Sequence, residues 1–240
     1  MADSGSSWQL PQHPEHQRQA LLTLLRQDPR GAANRQGDQV RQLIRALEHS
    51  SPVDLGAPSA LEQLEGVWEL RWSSSSQPYL AVAPWLENLQ VLAPSQGRAM
   101  NLLRLAGPLG PLAGIAVDAS IVVEPAAVRS DKRRSQQRVQ VRFRRGGWLG
   151  PVVGAGRLQW LRSVQQSFPA WLDITALDDE LRVCRGNAGT LFALLRRPDL
   201  SVQDLLLPAL QPQEASAISL SAGAAVDPAA DRGSRAVATA

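Results

Sequence analysis

Side chains that titrate or attack a substrate are scarce in this sequence of 240 residues. The only histidines are His13, His16 and His49, all near the amino terminus, and no G-x-S-x-G motif presents a serine nucleophile. Cys184 is the only cysteine, so neither an internal disulfide nor a cysteine zinc cluster can form. We therefore expect no enzyme, no metal site and no cofactor, with Cys184 as a packing residue of a strand.

A short basic segment holds a large share of the positive charge. The formal net charge of the chain is +3, whereas residues 129–145 contain eight basic side chains and one aspartate, a local charge of +7. A positive electrostatic field that is confined to one segment favours an anionic partner, but it does not identify that partner. Nucleic acid is the less favoured partner, because no aromatic side chains for base stacking are interleaved with the arginines.

Within this segment the residue types alternate with a period of two. Val139, Val141 and Phe143 are separated by polar residues, which predicts a strand with one buried face and one cationic face. The cationic face is either a solvated outer wall or a surface that attracts acidic lipid head groups, at about 1 kcal/mol per basic residue. The membrane-facing candidates in this strand are Arg138, Arg142 and Arg144.

Tryptophan is unusually frequent, with seven tryptophans against three phenylalanines and one tyrosine. Gly66-Val67-Trp68 opens the first strand of the predicted sheet. Trp68 is either an ordinary core residue or the floor of a small barrel, with an arginine from a late strand stacked on its ring. The candidates for that arginine are Arg182, Arg185 and Arg196.

Asp173 and Thr175 alternate with apolar residues in a late strand. If Asp178-Asp179 forms a two-residue turn, Thr175 faces Arg182 and Asp173 lies diagonal to it, as an ion pair across the strands. A different turn length would change these partners. The candidate residues for ligand binding or the barrel floor are Trp68, Asp173, Thr175, Arg182 and Arg185.

Two apolar segments, residues 80–86 and 105–115, are predicted as loops. Apolar loops require an explanation, because loops normally run over the surface. They either fold into the core or surround a barrel mouth and dip into lipid. Trp85 and Leu86 are the membrane-facing candidates of the first segment.

The elements that position these residues fall into two parts. A leucine-rich helix over residues 13–26 is followed by a clearer one, in which Val40, Leu43, Ile44 and Leu47 follow helical spacing. Eight candidate strands with turns between them and no interleaved helices predict an antiparallel sheet that closes on itself. The predicted strands are 67–72, 100–105, 115–123, 138–144, 157–161, 171–177, 181–185 and 190–195.

The length and composition fit one domain with tails. We predict a flexible segment over 1–12, a helical pair over 13–51, a barrel over 62–198 and a disordered tail over 211–240. No apolar run reaches the about 18 residues that a spanning helix requires. The first residues lack the features of a signal or transit peptide, so we expect a compartment that is reached without cleavage.

Three blocks of the sequence resemble the plastid lipid-associated proteins, also called fibrillins or plastoglobulins. They are Leu64-Glu65-Gly66-Val67-Trp68-Glu69-Leu70, Arg138-Val139-Gln140-Val141-Arg142-Phe143 and the long segment from Trp171 to Phe192. The resemblance covers about residues 17–197. Two departures are Ala176, where the family usually has tyrosine, and Cys184, where it often has serine.

The resemblance implies a mainly β, lipocalin-like antiparallel barrel with two N-terminal helices. It also implies binding of a hydrophobic small molecule or lipid, such as a carotenoid or prenylquinone, with roles in lipid storage or stress protection. We expect a monomer, peripheral at the cytoplasmic face of a thylakoid-type membrane or at a lipid body. Two other functions stay open: a lipocalin-like lyase that attaches bilins to phycobiliproteins, and a docking partner of an isoprenoid-synthesis enzyme.

Overall fold

A computed structural model describes residues 8–50, 53–77, 80–124, 138–154 and 156–209. Residues through Leu207 belong to one compact unit, and only the first two residues of the second unit, Pro208–Ala240, are described. Most of the predicted flexible segment, the basic residues 129–134 and the predicted tail lie outside the described residues.

Three α-helices precede the sheet: α1 (Pro14–Leu25), α2 (Gly37–Ser50) and α3 (Pro58–Leu64). The four apolar residues that predicted α2 are buried, and they pack with the leucines of α1 against the outside of the sheet. Pro14 and Pro58 stand in the first turns of their helices, where a missing N–H leaves no hydrogen bond unmade. A last helix, α4, spans Val202–Leu205. No helix in the described part of the chain is long and apolar enough to cross a bilayer.

Nine strands form one antiparallel sheet. They are β1 (Gly66–Ser73), β2 (Leu86–Ala93), β3 (Arg98–Leu105), β4 (Gly114–Val123), β5 (Arg138–Val153), β6 (Gly156–Ser163), β7 (Ala170–Leu177), β8 (Leu181–Gly186) and β9 (Leu191–Arg196).

Eight of these strands close into a ring. The order β4-β3-β2-β1-β9-β8-β7-β5 is completed by pairing between β4 and β5, so the predicted closed, lipocalin-like antiparallel barrel is confirmed. β5 is long enough to serve two partners. Its first residues, through Val141, pair with β7, whereas residues from Arg145 onward form a hairpin with β6 outside the ring.

β2 was not predicted, because its sequence begins in a segment that we interpreted as an apolar loop. Leu86 is the first residue of β2 and pairs with Leu105, whereas Leu80 and Val82 pack against the interior. The second apolar segment forms a 3₁₀ turn over Gly107–Leu112. Residues of these two segments therefore lie partly in the core and partly at the end of the barrel, which are the two positions that we considered for them.

The antiparallel register defines the two ends of the barrel. At one end, the floor, α3 packs beneath the start of β1, the end of β9 and the β7–β8 turn. At the other end, the mouth, lie the end of β1, the β3–β4 turn, the β5–β6 hairpin and the β8–β9 turn.

Candidate functional site

The interior of the barrel is hollow rather than filled by side chains. A cavity of about 440 Å³ lies inside, within the range of about 300–1,000 Å³ that small-molecule sites occupy. Its wall follows from the alternation of strand residues, since Ala119 and Ile121 of β4 and Val139, Val141 and Phe143 of β5 all point inward. Polar side chains in the lining include Gln90, Asn101, Asn187, Thr190 and Arg182.

Trp68 lies at the floor of the barrel. The ring is fully buried, and its Nε1 donates to the carbonyl of Leu64 at the end of α3, at 3.0 Å. The guanidinium carbons of Arg196 and Arg182 lie 4.3 and 5.3 Å from the ring centroid. Gly66 leaves room for Arg196, because a Cβ at this position would collide with the guanidinium.

The two arginines at the floor have different partners. Arg196 donates to the carbonyls of Asp179 at 2.7 Å and Glu65 at 2.8 Å, and also to that of Gln63. It therefore ties α3 and the β7–β8 turn to the bottom of the barrel. Arg182 has 0% of its surface exposed and donates to the side chain of Gln90.

A scan against protein-family models matches residues 15–195 to the PAP_fibrillin model. The matched range runs from the first turn of α1 to the last residues of β9. The chain belongs to the PAP_fibrillin family. It is the plastid lipid-associated family that the three sequence blocks resemble. A comparison with curated proteins finds no match.

The block around Trp68, one of the three that resemble the PAP_fibrillin family, contributes residues to the floor. The two departures have different positions. Ala176 packs in the core between the helices and the barrel, so the tyrosine that the family usually has there does not bear on the cavity. Cys184 is fully buried in the interior cluster, and burial raises the pKa of its thiol.

The predicted ion pair between Asp173 and Arg182 is wrong. Asp173 instead receives two hydrogen bonds from Arg138, at 2.6 and 2.7 Å, and Arg138 stacks 3.4 Å from the ring centroid of Trp171. This pair lies on the outer wall, because Arg138 alternates with the inward-facing Val139. It is nevertheless buried, so Arg138 does not present its charge to solvent as the membrane prediction requires.

The position of the turn caused this error. The N–H of Asp178 donates to the carbonyl of Leu181, so Asp179 and Glu180 are the two turn residues and Leu177, rather than Thr175, is the partner of Arg182. A β-bulge between Ile174 and Ala176 then shifts the register again and makes Arg185 the partner of Asp173. Thr175 hydrogen-bonds the carbonyl of Val183 at 3.4 Å and does not line the cavity. Extra residues in one strand are not visible in a period-two pattern.

Arg185 was a candidate for the floor, but it lies on the helix side of the sheet. It binds both carboxylate oxygens of Glu48 in α2, and these bonds raise its pKa. Of the five predicted floor or ligand residues, Trp68 and Arg182 meet at the floor, and Arg182 lines the cavity. Arg185, Asp173 and Thr175 do not line it.

The wall opens where β5 leaves β7 to pair with β6, and the side chain of Gln166 closes this seam. Gln166 Oε1 accepts a hydrogen bond from the backbone N–H of Phe143 at 2.7 Å, and its Nε2 donates to the carbonyls of Val141 and Phe168. Phe168 and Val141 line both the cavity and an outer groove of about 650 Å³. Sequence reasoning missed this role, because an isolated glutamine in a loop has no distinctive pattern.

The mouth carries an exposed apolar surface. Ile115, Trp148 and Trp160 form one row across β4, β5 and β6, and 58%, 42% and 65% of their surfaces are exposed. The row continues the cavity wall, since Ile115 lies two residues from the cavity-lining Val117. Trp85 is also exposed. We name the surface formed by Trp85, Ile115, Trp148 and Trp160 the mouth surface.

Proposed function

We propose that this protein binds a hydrophobic small molecule or lipid in the barrel, such as a carotenoid, a prenylquinone or another membrane lipid, and does so at the surface of a photosynthetic membrane. The observation that carries the proposal is the hollow, mostly apolar interior of a barrel whose family is lipid-associated. Apolar burial supplies the binding free energy, at about 25 cal/mol per Å² removed from water. The few inward polar groups orient the guest.

The mouth surface supports membrane docking with the cavity opening toward the lipid. Trp148 and Trp160 have the amphipathic rings that favour the membrane interface. The segment from Arg138 to Leu172 contains six arginines and no acidic residue, and the guanidinium of Arg162 stacks 4.7 Å from the ring centroid of Trp160. Arg142 is exposed, Arg144 is half-buried and Leu86 is half-buried beside the exposed Trp85. Together these side chains favour an anionic surface.

The hollow barrel is tested by filling it. We predict that Ala119→Phe, which places a ring in the cavity, weakens binding of a carotenoid or prenylquinone by about tenfold or more. Val122→Phe is the matched control, because Val122 lies on the same strand but is 63% exposed on the outer face. Binding is measured by fluorescence titration of the purified chain and by mass spectrometry of an organic-solvent extract.

An extract without pigment, quinone or lipid, combined with no binding when these are added, would contradict the proposal. Two further outcomes identify other functions. Covalent transfer of an added bilin to an apo-phycobiliprotein would show a lyase. Co-purification with an isoprenoid-synthesis enzyme in the absence of any extractable guest would show a docking protein.

A further inference from the structure

Arg182 is a buried cation that the described structure leaves incompletely paired. Among the described residues, its hydrogen-bond partner is the neutral amide of Gln90, and its Nε has no partner there. No carboxylate in the described ranges forms an ion pair with it. Arg138, the other buried arginine, has a bidentate partner in Asp173. The difference shows that this fold can neutralise a buried arginine and does not do so at Arg182.

Closing the floor does not require the charge of Arg182. Arg196 already stacks on Trp68 and ties α3 and the β7–β8 turn together through three carbonyls. Burial, together with the nearby charge of Arg196, lowers the pKa of Arg182 to about 10, so the guanidinium stays protonated at neutral pH. Burying a charge without a partner lowers the stability of the folded protein. The buried charge of Arg182 therefore indicates a functional role.

The position of Arg182 indicates what that role is. It points inward from β8 and lines the cavity near its floor, below the apolar wall formed by Val117, Ile121 and Phe143. A guest that fills the cavity therefore meets hydrocarbon-like surface along its length and one cationic donor at its inner end.

We infer that the cavity takes an amphipathic carboxylate, with its head group paired to Arg182 and its apolar tail directed toward the mouth. This inference rests on the proposed function and names the class of guest. A carboxylate matches the planar fork of a guanidinium. A phosphate brings more charge and more acceptor oxygens than one arginine can satisfy, and its remaining oxygens would be buried without donors.

The test compares a fluorescent fatty acid, cis-parinaric acid, with its methyl ester, which has the same tail without the charge. In the full chain at neutral pH we expect the acid to bind about 10- to 100-fold more tightly than the ester. Arg182→Met should abolish most of this preference while ester binding is kept. Arg45→Met, which removes an exposed arginine of α2, should retain the preference.

The possible outcomes distinguish the carboxylate inference from the proposed function. Equal binding of acid and ester by the unaltered chain overturns the carboxylate inference and leaves the hydrophobic carrier intact, and it needs no variant. Failure of both probes to bind also overturns the carboxylate inference, and the extraction and the carotenoid and prenylquinone titrations then decide the proposed function. We also expect the guest-free Arg182→Met variant to keep or exceed the original melting temperature, because a buried charge is removed. A lower melting temperature with an unchanged acid preference would show a structural arginine and overturn the inference.

Discussion

Arg138 and Arg182 are both buried arginines next to a tryptophan, and their partners give them different roles. Arg138 makes a complete ion pair with Asp173 on the outer wall, so it contributes to stability and is not available to a ligand. Arg182 faces the cavity with an unpaired N–H. The sequence predicted that arginines would stack on tryptophans, but not which arginine would have a carboxylate, because that depends on register.

At the scale of single residues, we predict that Asp173→Asn destabilises the protein strongly. The substitution leaves the Arg138 charge buried without its partner, which costs about 3–5 kcal/mol when one member of a buried pair is removed. For a chain of this size the melting temperature should fall by about 10 °C. Thermal and denaturant unfolding followed by circular dichroism measure both quantities.

The matched control is Asp38→Asn, which removes the acidic partner of Arg41 in α2, an ion pair whose carboxylate side chain is 94% exposed. Exposed pairs of this kind contribute at most about 1 kcal/mol. A similarly small loss for Asp173→Asn would show that the Arg138–Asp173 pair does not stabilise the wall as its burial implies.

At the scale of elements, the sequence predicted those helices and strands whose residue pattern and turns are clear. α2 has an uninterrupted period of 3.6, and the β7–β9 meander has clear turns between its strands, and both were found. β2 was missed because Trp85-Leu86 joins an apolar segment to the strand without a break in composition. The end of β5 was missed because Gly146-Gly147 and Gly150-Pro151 interrupt it, although Gly150 is needed there: the Trp148 ring packs against it, where a Cβ would clash.

The seam between β5 and β7 yields an element-scale prediction. Gln166 replaces ladder hydrogen bonds that β7 no longer supplies, so Gln166→Ala should loosen the wall beside the cavity. We expect a guest to dissociate several-fold faster, while global stability falls by only about 1–2 kcal/mol, because the groups freed lie near the surface. Stopped-flow displacement of a bound fluorescent guest measures the rate.

The neighbouring Gln165→Ala provides the control, since Gln165 is exposed and does not bridge the strands. Unchanged dissociation from Gln166→Ala would show that guests leave by the mouth alone.

Across the whole molecule, exposed apolar side chains are concentrated at one end. Of the 14 large apolar residues that are exposed in the described part of the chain, ten lie at the mouth or in the β5–β6 hairpin; Leu10, Val122, Val164 and Phe168 are the exceptions. The sequence could predict apolar segments and a basic strand separately. It could not show that both meet at the open end, because barrel closure brings β3, β4, β5 and β6 there.

This concentration predicts that the protein docks mouth-first on anionic vesicles. Removing both rings with Trp148→Ala and Trp160→Ala should lower partition into acidic vesicles by about tenfold or more, because each tryptophan buries about 150–250 Å² when it is covered.

Replacing Arg142 and Arg144 by glutamate should weaken binding to acidic vesicles but not to neutral ones, and added salt should reduce the difference. Vesicle flotation and the blue shift of tryptophan emission measure the two effects. Leu10→Ala, at an exposed apolar residue outside both the mouth and the basic strand, should change neither. Equal losses for Leu10→Ala and the double tryptophan variant would place the membrane contact on another face of the protein, and the cavity would then open to water rather than to lipid.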